Sequence, residues 1–376
     1  MPIFHKKTDE SARGGSRTAC RDRVSSLLRA GPPVLSWMFS FALTAWLAGV
    51  WLPPADLPST VREKLAHLAE HGDDYDAIFV GSSRIQSHIM PSLFDRLAAE
   101  RGLTVKSFNA GVASMHTPED GWLLEQILAR KPARLRWIFL EIDFFDAGLE
   151  DGQMGTLRGV PWHDWPRFRQ LCRRMAVMSD NLSFRDRIAE LSARLRDFVD
   201  HLATFGQREA QLGRGAQLFD RWRLSINPEP MRWENLGADG DGFRPAKTNT
   251  VLEKKSLARL AKLVAERTKI LPKADEADRV SQAVLGEAIA QIIRAGARPV
   301  LIIPPRTRLH YFVPSAENAR LAAVVDLCNP VKFPELYEAK HRVDTSHLNA
   351  AGAEVFTRIV ADRFLEIARP TPKPNP

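Results

Sequence analysis

The sequence predicts an α/β fold: a parallel sheet covered by helices on both faces, carried behind one membrane-spanning helix and interrupted by a helical insertion. Three observations carry that reading. Short apolar runs bounded by turn residues alternate with helical patterns in both halves of the chain, a charge-free stretch of 19 residues stands near the N-terminus, and the alternation lapses between residues 147 and 275. Strand, helix, strand in repetition, with strands too apolar to have a wet face, is the order of parallel βαβ units.

Residues 1–33 form a basic tail with seven Lys or Arg against three Asp or Glu. Val34 to Leu52 (VLSWMFSFALTAWLAGVWL) then runs without a charge, and as a helix it covers about 28 Å, the hydrocarbon thickness of a bilayer. Trp37 and Trp51 suit the aromatic belts, and Pro53-Pro54 stops the helix. A buried core helix and a cleavable signal peptide are the alternatives. The run exceeds the usual apolar region of a signal, and no A-x-A-like site follows it. An uncleaved anchor in the inner membrane is expected, with the tail in the cytoplasm and the remainder exported to a bacterial periplasm.

The tail accounts for half of the net charge of +8, and the body shows no basic stripe interleaved with aromatics, so no nucleic-acid partner is expected. A hydrophobic fraction of 44% with 26% charged residues excludes a disordered or collagen-like chain. Three cysteines, Cys20, Cys172 and Cys328, make neither a disulfide framework nor a paired zinc motif. Whether Cys172 and Cys328 pair is left open by the sequence.

After a connector (53–74) with one short amphipathic helix, TVREKLAHLAE, the body begins. Its first part, 75–146, holds strands at Tyr75–Val80, Val105–Asn109 and Trp137–Ile142, separated by helices at Pro91–Glu100 and Pro118–Ala129. Residues 147–275 read as an insertion or cap with helices near Phe184–Phe205 and Leu252–Arg267. The second part, 276–369, supplies a helix at Glu276–Ala295, a strand at Pro299–Ile303 closed by Pro304-Pro305, and a final helix at Asn349–Ala368. Pro370–Pro376 is a Pro-rich tail expected to be disordered.

Reactive groups of a parallel sheet gather beyond the carboxyl ends of its strands. The first strand delivers Gly81-Ser82-Ser83-Arg84, the second Asn109-Ala110-Gly111, and Asp344-Thr345-Ser346-His347 precedes the last helix. A serine hydroxyl needs a base within hydrogen-bond reach and a third group to hold that base. Ser83, His347 and Asp344 supply one of each, and the main-chain N–H groups of Ser83 and Gly111 could receive an oxyanion. Other readings of the same residues stand beside this one. Ser82 could cap the helix that follows, Asp344 and Ser346 could be helix caps with His347 a first-turn residue, and Arg84 could hold an anionic substrate or pair with an acid. His341, Asp344 and His347 could be drawn as metal ligands but lack a fourth, and Asp239-Gly240-Asp241-Gly242 lacks the later Glu of a calcium loop. No metal or cofactor is expected.

Ser83 in Gly-Ser-Ser, Gly111 after the second strand and Asp-Thr-Ser-His near the C-terminus resemble the first, second and fifth sequence blocks of the SGNH (GDSL-like) hydrolase superfamily. With the anchor, the chain looks most like its exported acyl-transferring branch, the DltD-type and alginate O-acetylation proteins. The resemblance implies a three-layer α/β/α body, Ser83 as nucleophile, His347 as base, Asp344 as orienting acid and Gly111 as oxyanion donor. It also implies an acyl donor brought across the bilayer by a membrane-bound O-acyltransferase (MBOAT) partner, and a glycan or polymer acceptor. One block departs: where the family carries an Asn after the third strand, this chain reads Glu141, Asp143 and Asp146. A carboxylate cannot donate, and Asn109 is the substitute considered. An exported esterase or deacetylase, and a non-catalytic assembly partner of a polysaccharide acylation system, are the alternatives.

Overall fold

In the computed structural model of the chain the described residues are 15–51, 57–142, 156, 158–176, 183–214, 219, 233–246, 252, 254–269, 279–307 and 312–369, with main chain only at 15–31 and 254. Asp143, Asp146, Leu52 to Pro54 and the C-terminal tail lie outside them.

Helix α1 (Gly15–Trp51) starts within the basic tail and continues through Pro32 and Pro33. Its segment Pro32–Trp51 is long and apolar enough to cross a membrane, and none of that apolar window is buried within the protein. Helix α2 (Ser59–His71) matches the amphipathic connector.

Five strands form one parallel sheet in the order β2-β1-β3-β4-β5: β1 (Ala77–Val80), β2 (Ser107–Asn109), β3 (Trp137–Glu141), β4 (Arg298–Ile303) and β5 (Ala323–Asp326). The first four lie within or about the predicted runs; β5 has no counterpart in the sequence reading. Around them run α3 (Ser83–His88), α4 (Pro91–Glu100), α5 (Glu119–Leu128), α6 (Trp165–Ala176), α7 (Phe184–Glu209), α8 (Lys254–Lys269), α9 (Arg279–Arg294), α10 (Ala316–Leu321) and α11 (Ala350–Ala368).

The period of two along each strand divides the core in two. Ile78, Val80, Ile138, Leu140, Leu301 and Ile303 join one cluster with residues of α2, α5 and α9. Phe79, Trp137, Phe139, Val300 and Ile302 join the other with residues of α3, α4 and α11. Each such side chain contributes about 1.5–3 kcal/mol by leaving water. Because both faces are covered, the strands carry no polar alternation, which is why they read as continuous apolar runs.

The β2 edge is closed by a piece of the insertion. Asp241 C=O accepts from Asn109 N–H at 2.8 Å. Gly242, at φ +88°, comes so near that a Cβ there would sit 2.0 Å from the Asn109 oxygen. Lys64 of α2 holds this junction: fully buried, it donates to the carbonyls of Gly111 (2.7 Å), Gly242 (2.8 Å) and Asn109 (2.9 Å). Burial and then Arg244 pull its pKa down to about 7, while three carbonyls suit the three donors of an ammonium. Asp241, weighed above as part of a calcium loop, spends its carboxylate on Ser92 Oγ–H (2.8 Å) and Phe243 N–H (3.0 Å).

Candidate active site

β1 stops at Val80, and Gly81 turns the chain where a side chain has no room: a Cβ would lie 2.5 Å from Ile85 Cγ1 and 2.6 Å from Glu141 Cβ. Ser82 caps α3, its Oγ accepting from Arg84 N–H at 3.2 Å. Glu141, at the end of the neighbouring strand β3, accepts from Ser82 N–H (2.7 Å), Ser82 Oγ–H (3.1 Å) and Arg84 Nε (3.1 Å). Both members of the Glu141–Arg84 pair are buried. A buried pair of charges persists only when its remaining lone pairs and protons are met, and Ser82 helps to meet them. Of the two readings of Arg84, the structure therefore shows the pairing with an acid, although Arg84 also lines the cleft described below.

Ser83 is the first residue of α3, and its Oγ lies 2.9 Å from His347 Nε2. On the far side of the ring, His347 Nδ1 stands 2.9 Å from Asp344 Oδ2 and 3.1 Å from Oδ1. With Nδ1–H given to the carboxylate, Nε2 presents its lone pair to the serine hydroxyl. Asp344 Oδ1 also accepts the N–H groups of Ser346 (2.6 Å) and His347 (2.8 Å), so it caps the turn and orients the ring at once. Partial burial pushes its carboxyl up, but the bonds from the His347 ring and the Ser346 N–H outweigh it and bring the pKa to about 2.

The loop that carries the base is held from below. Arg342, buried over the Tyr337 ring, donates to Leu336 C=O (2.9 Å) and Thr345 C=O (3.0 Å). Val343 N–H closes onto His347 C=O (3.0 Å). Leu348 N–H donates to His88 Nε2 at 2.9 Å. His88 is fully buried, and burial, with His347 next, holds its pKa well below 6.5, so the ring stays neutral and can accept. α3 thus bears Ser83 at its first residue and, at its last, the imidazole that fixes the chain next to His347.

Two expected oxyanion donors are spent elsewhere. Gly111 N–H donates to Asn109 Oδ1 (2.9 Å), and Asn109 Nδ2 donates to the carbonyls of Ile85 (2.7 Å) and Ile89 (2.8 Å). Asn109 is fully buried, and a Cβ at Gly111 would lie 2.4 Å from Gln86 N. These residues tie the exit of β2 to α3, and neither lines the cleft. The positions after β2 that do reach it are Ser114 and His116, Ser114 being exposed and in the left-handed region at φ +56°. The main-chain N–H groups of Ser83 and Ser114 donate to no acceptor among the described residues. Glu141 accepts where the resemblance expected an amide.

The cleft over Ser83 measures about 340 Å³ and is shared between body and insertion: Ser114, His116, Arg306 and His347 come from strand-end loops, Arg259 and Leu263 from α8. A larger cavity, about 510 Å³ by Gly296, Arg298 and Leu321, lies at the opposite end of β4 and contains no nucleophile beside a base. His341 gives its Nδ1 to Glu335 C=O (2.6 Å) rather than to the Asp344–His347 pair. Among the described residues Cys172 is an exposed thiol, and Cys328 is buried with its Sγ accepting from Arg267 Nη2 at 2.8 Å, so the two do not pair with each other. Lys64, His88, Ser114 and Arg306 went unread in the sequence. A charged or imidazole side chain inside an apolar helical face was the available signal for the first two. No family model matches this chain, and no match to a curated protein was found.

Proposed function

We propose that the protein is a membrane-anchored serine acyltransferase with an SGNH-like three-layer α/β/α body. The observation that carries the proposal is the unbroken chain from Ser83 Oγ through the His347 ring to Asp344. His347 Nε2 takes the hydroxyl proton as Oγ attacks the acyl carbonyl, and the N–H groups of Ser83 and Ser114 face the oxyanion that forms. The imidazolium, supported by an Asp344 that stays ionised, returns the proton to the departing group. An acyl-serine ester remains. An acceptor hydroxyl then attacks it, His347 removing that proton, and the ester passes to the acceptor.

In this reading α1 crosses the cytoplasmic membrane with the body on the outer, periplasmic side. The acyl group, acetyl in the simplest case, comes from an MBOAT-type partner and goes to a glycan of the envelope or an exopolysaccharide. A second reading shares the residues: His347 and Asp344 retain 30% and 51% of their side-chain exposure, so water can reach the ester and make the protein an esterase. Full-length protein given a chromogenic acetyl ester, with and without polysaccharide, separates the two by whether acyl groups appear on the polymer. Mass spectrometry should find an acyl adduct on the Ser83 peptide, absent in Ser83→Ala. If Ser83→Ala preserves cellular acylation that deletion of the protein abolishes, the role is assembly and the enzymatic reading fails.

A further inference from the structure

α7 is built inside out. At 3.6 residues per turn, Phe184, Ile188, Leu191, Leu195, Val199 and Leu202 fall in one stripe about 80° wide running most of the helix. All six are exposed, from 39% at Leu191 to 81% at Phe184. The face turned to the body is polar instead. Glu190, Arg194, Asp197, His201 and Thr204 are buried or half-buried there, Arg194 bonding Glu190 and His201 lying 2.9 Å from His163. Only Phe198 and Phe205, at one margin of the stripe, pack inward, on Phe168. A helix that offers polar groups to its own domain and a continuous apolar strip outward has its apolar partner outside the domain.

Two features identify that partner as lipid. First, the end of α7 meets the membrane segment: Gly49 faces Gln211, a Cβ there lying 3.5 Å from the Gln211 amide nitrogen. Gly49 is two residues from the end of the apolar span at Trp51, so the contact sits where α1 leaves the hydrocarbon. Trp165, 55% exposed and packed by Phe205, extends the apolar face at this end. Second, the charges of α7 are sorted. On the same helical projection the exposed Arg187 borders one side of the stripe and the exposed Arg185 and Arg196 the other, while Asp186, Glu190, Asp197 and Asp200 lie on the far side, about 160–240° from Phe184, and of the α7 acids only Glu209, in the last turn, falls on the stripe side. Arginines flanking an apolar stripe, with four of the five acids turned away, are the arrangement of a helix lying in the membrane-water interface among phosphate headgroups.

We infer that α7 lies in the plane of the bilayer surface beside α1, its apolar stripe in the acyl boundary of the lipid. The inference is independent of the chemistry at Ser83 and rests on α1 crossing the membrane. Its consequence is that the inserted segment, which also supplies Arg259 and Leu263 to the cleft, sets the height of the cleft above the lipid.

The test uses the full chain in vesicles of phosphatidylcholine and phosphatidylglycerol, in a Cys20→Ser, Cys172→Ser background with the buried Cys328 left in place. Leu195→Cys on the stripe, Asp186→Cys on the opposite face and Leu43→Cys within α1 each carry a nitrobenzoxadiazole label. Brominated acyl chains should quench the labels at 195 and 43 several-fold and leave the label at 186 unchanged. Quenching at 43 with a water-like label at 195 overturns the inference and spares the anchor. A blue-shifted label at 195 that brominated lipid does not quench assigns the stripe to a protein, a second copy or a membrane partner, and overturns it as well. No quenching at 43 removes the anchor and the inference together.

Discussion

α11 and α7 carry the same kind of amphipathic pattern and use it in opposite directions. α11 turns Phe356, Val360 and Phe364 into the core and its charges to water. α7 turns Glu190, Asp197 and His201 inward and Phe184, Leu191 and Leu195 outward. The periodicity of a helix therefore states that it has an apolar partner, but the partner's identity comes from what the rest of the chain has already buried. The sheet body was complete with α11; the insertion had a polar ledge left to pack on.

The largest effect expected from this division falls on the body's chemistry. Asp344→Asn should lower acyl-ester turnover about 10²–10⁴-fold by releasing His347 into the wrong tautomer, while thermal melting barely moves, because Asp344 is half exposed. Next is Phe364→Ala, which empties a fully buried site against Phe94, Trp137 and Phe139 and should cost about 3–5 kcal/mol in denaturant unfolding. Lys64→Met tests the seam between the regions. It strands three carbonyls, for about 3 kcal/mol together, and a negligible loss would mean that residues 233–246 are only loosely attached.

Each region also holds a neutral buried histidine: His88 in the body, and His163 in the insertion, where burial brings the pKa down to about 4. Below 6.5 the unfolded chain binds protons that these rings refuse, so stability rises with pH through that window and falls as pH drops below it. His88→Gln, which retains an acceptor for Leu348 N–H in an unchanged setting of His347, Asp344, Arg84 and Arg342, should remove up to about 1.4 kcal/mol per pH unit of that slope. Urea titrations at pH 7 and 5.5 measure it. The smallest effect should be Leu195→Ala in detergent, within about 0.5 kcal/mol; a loss near that of Phe364→Ala would show that α7 has a hidden packing partner.

Four strands and the Ser83, His347 and Asp344 row were legible because each leaves a local mark: an apolar run closed by a turn, or a reactive residue at a strand end. β5 was not, since Ala323–Asp326 is a short, half-exposed edge strand that continues the apolar pattern of α10 without a turn residue between them. Gly111 and Asn109 were placed correctly at the end of β2 but given the wrong work. A sequence locates a donor, whereas only coordinates show that Asn109 is already consumed by α3. Lys64 was beyond sequence reading altogether, its three acceptors lying 45, 47 and 178 residues away.

Those separations bear on how the protein is made. When translation has delivered β1, β2 and β3, the outer rim of the young sheet is bare and one ammonium has two of its three carbonyls. Nothing can finish either until residue 242 has followed, roughly a hundred residues later. A nascent chain would spend that interval with a sticky strand uncovered. Escort by a holdase, or delay of β2 pairing until Asp241 arrives, is the demand that this one seam places on biogenesis.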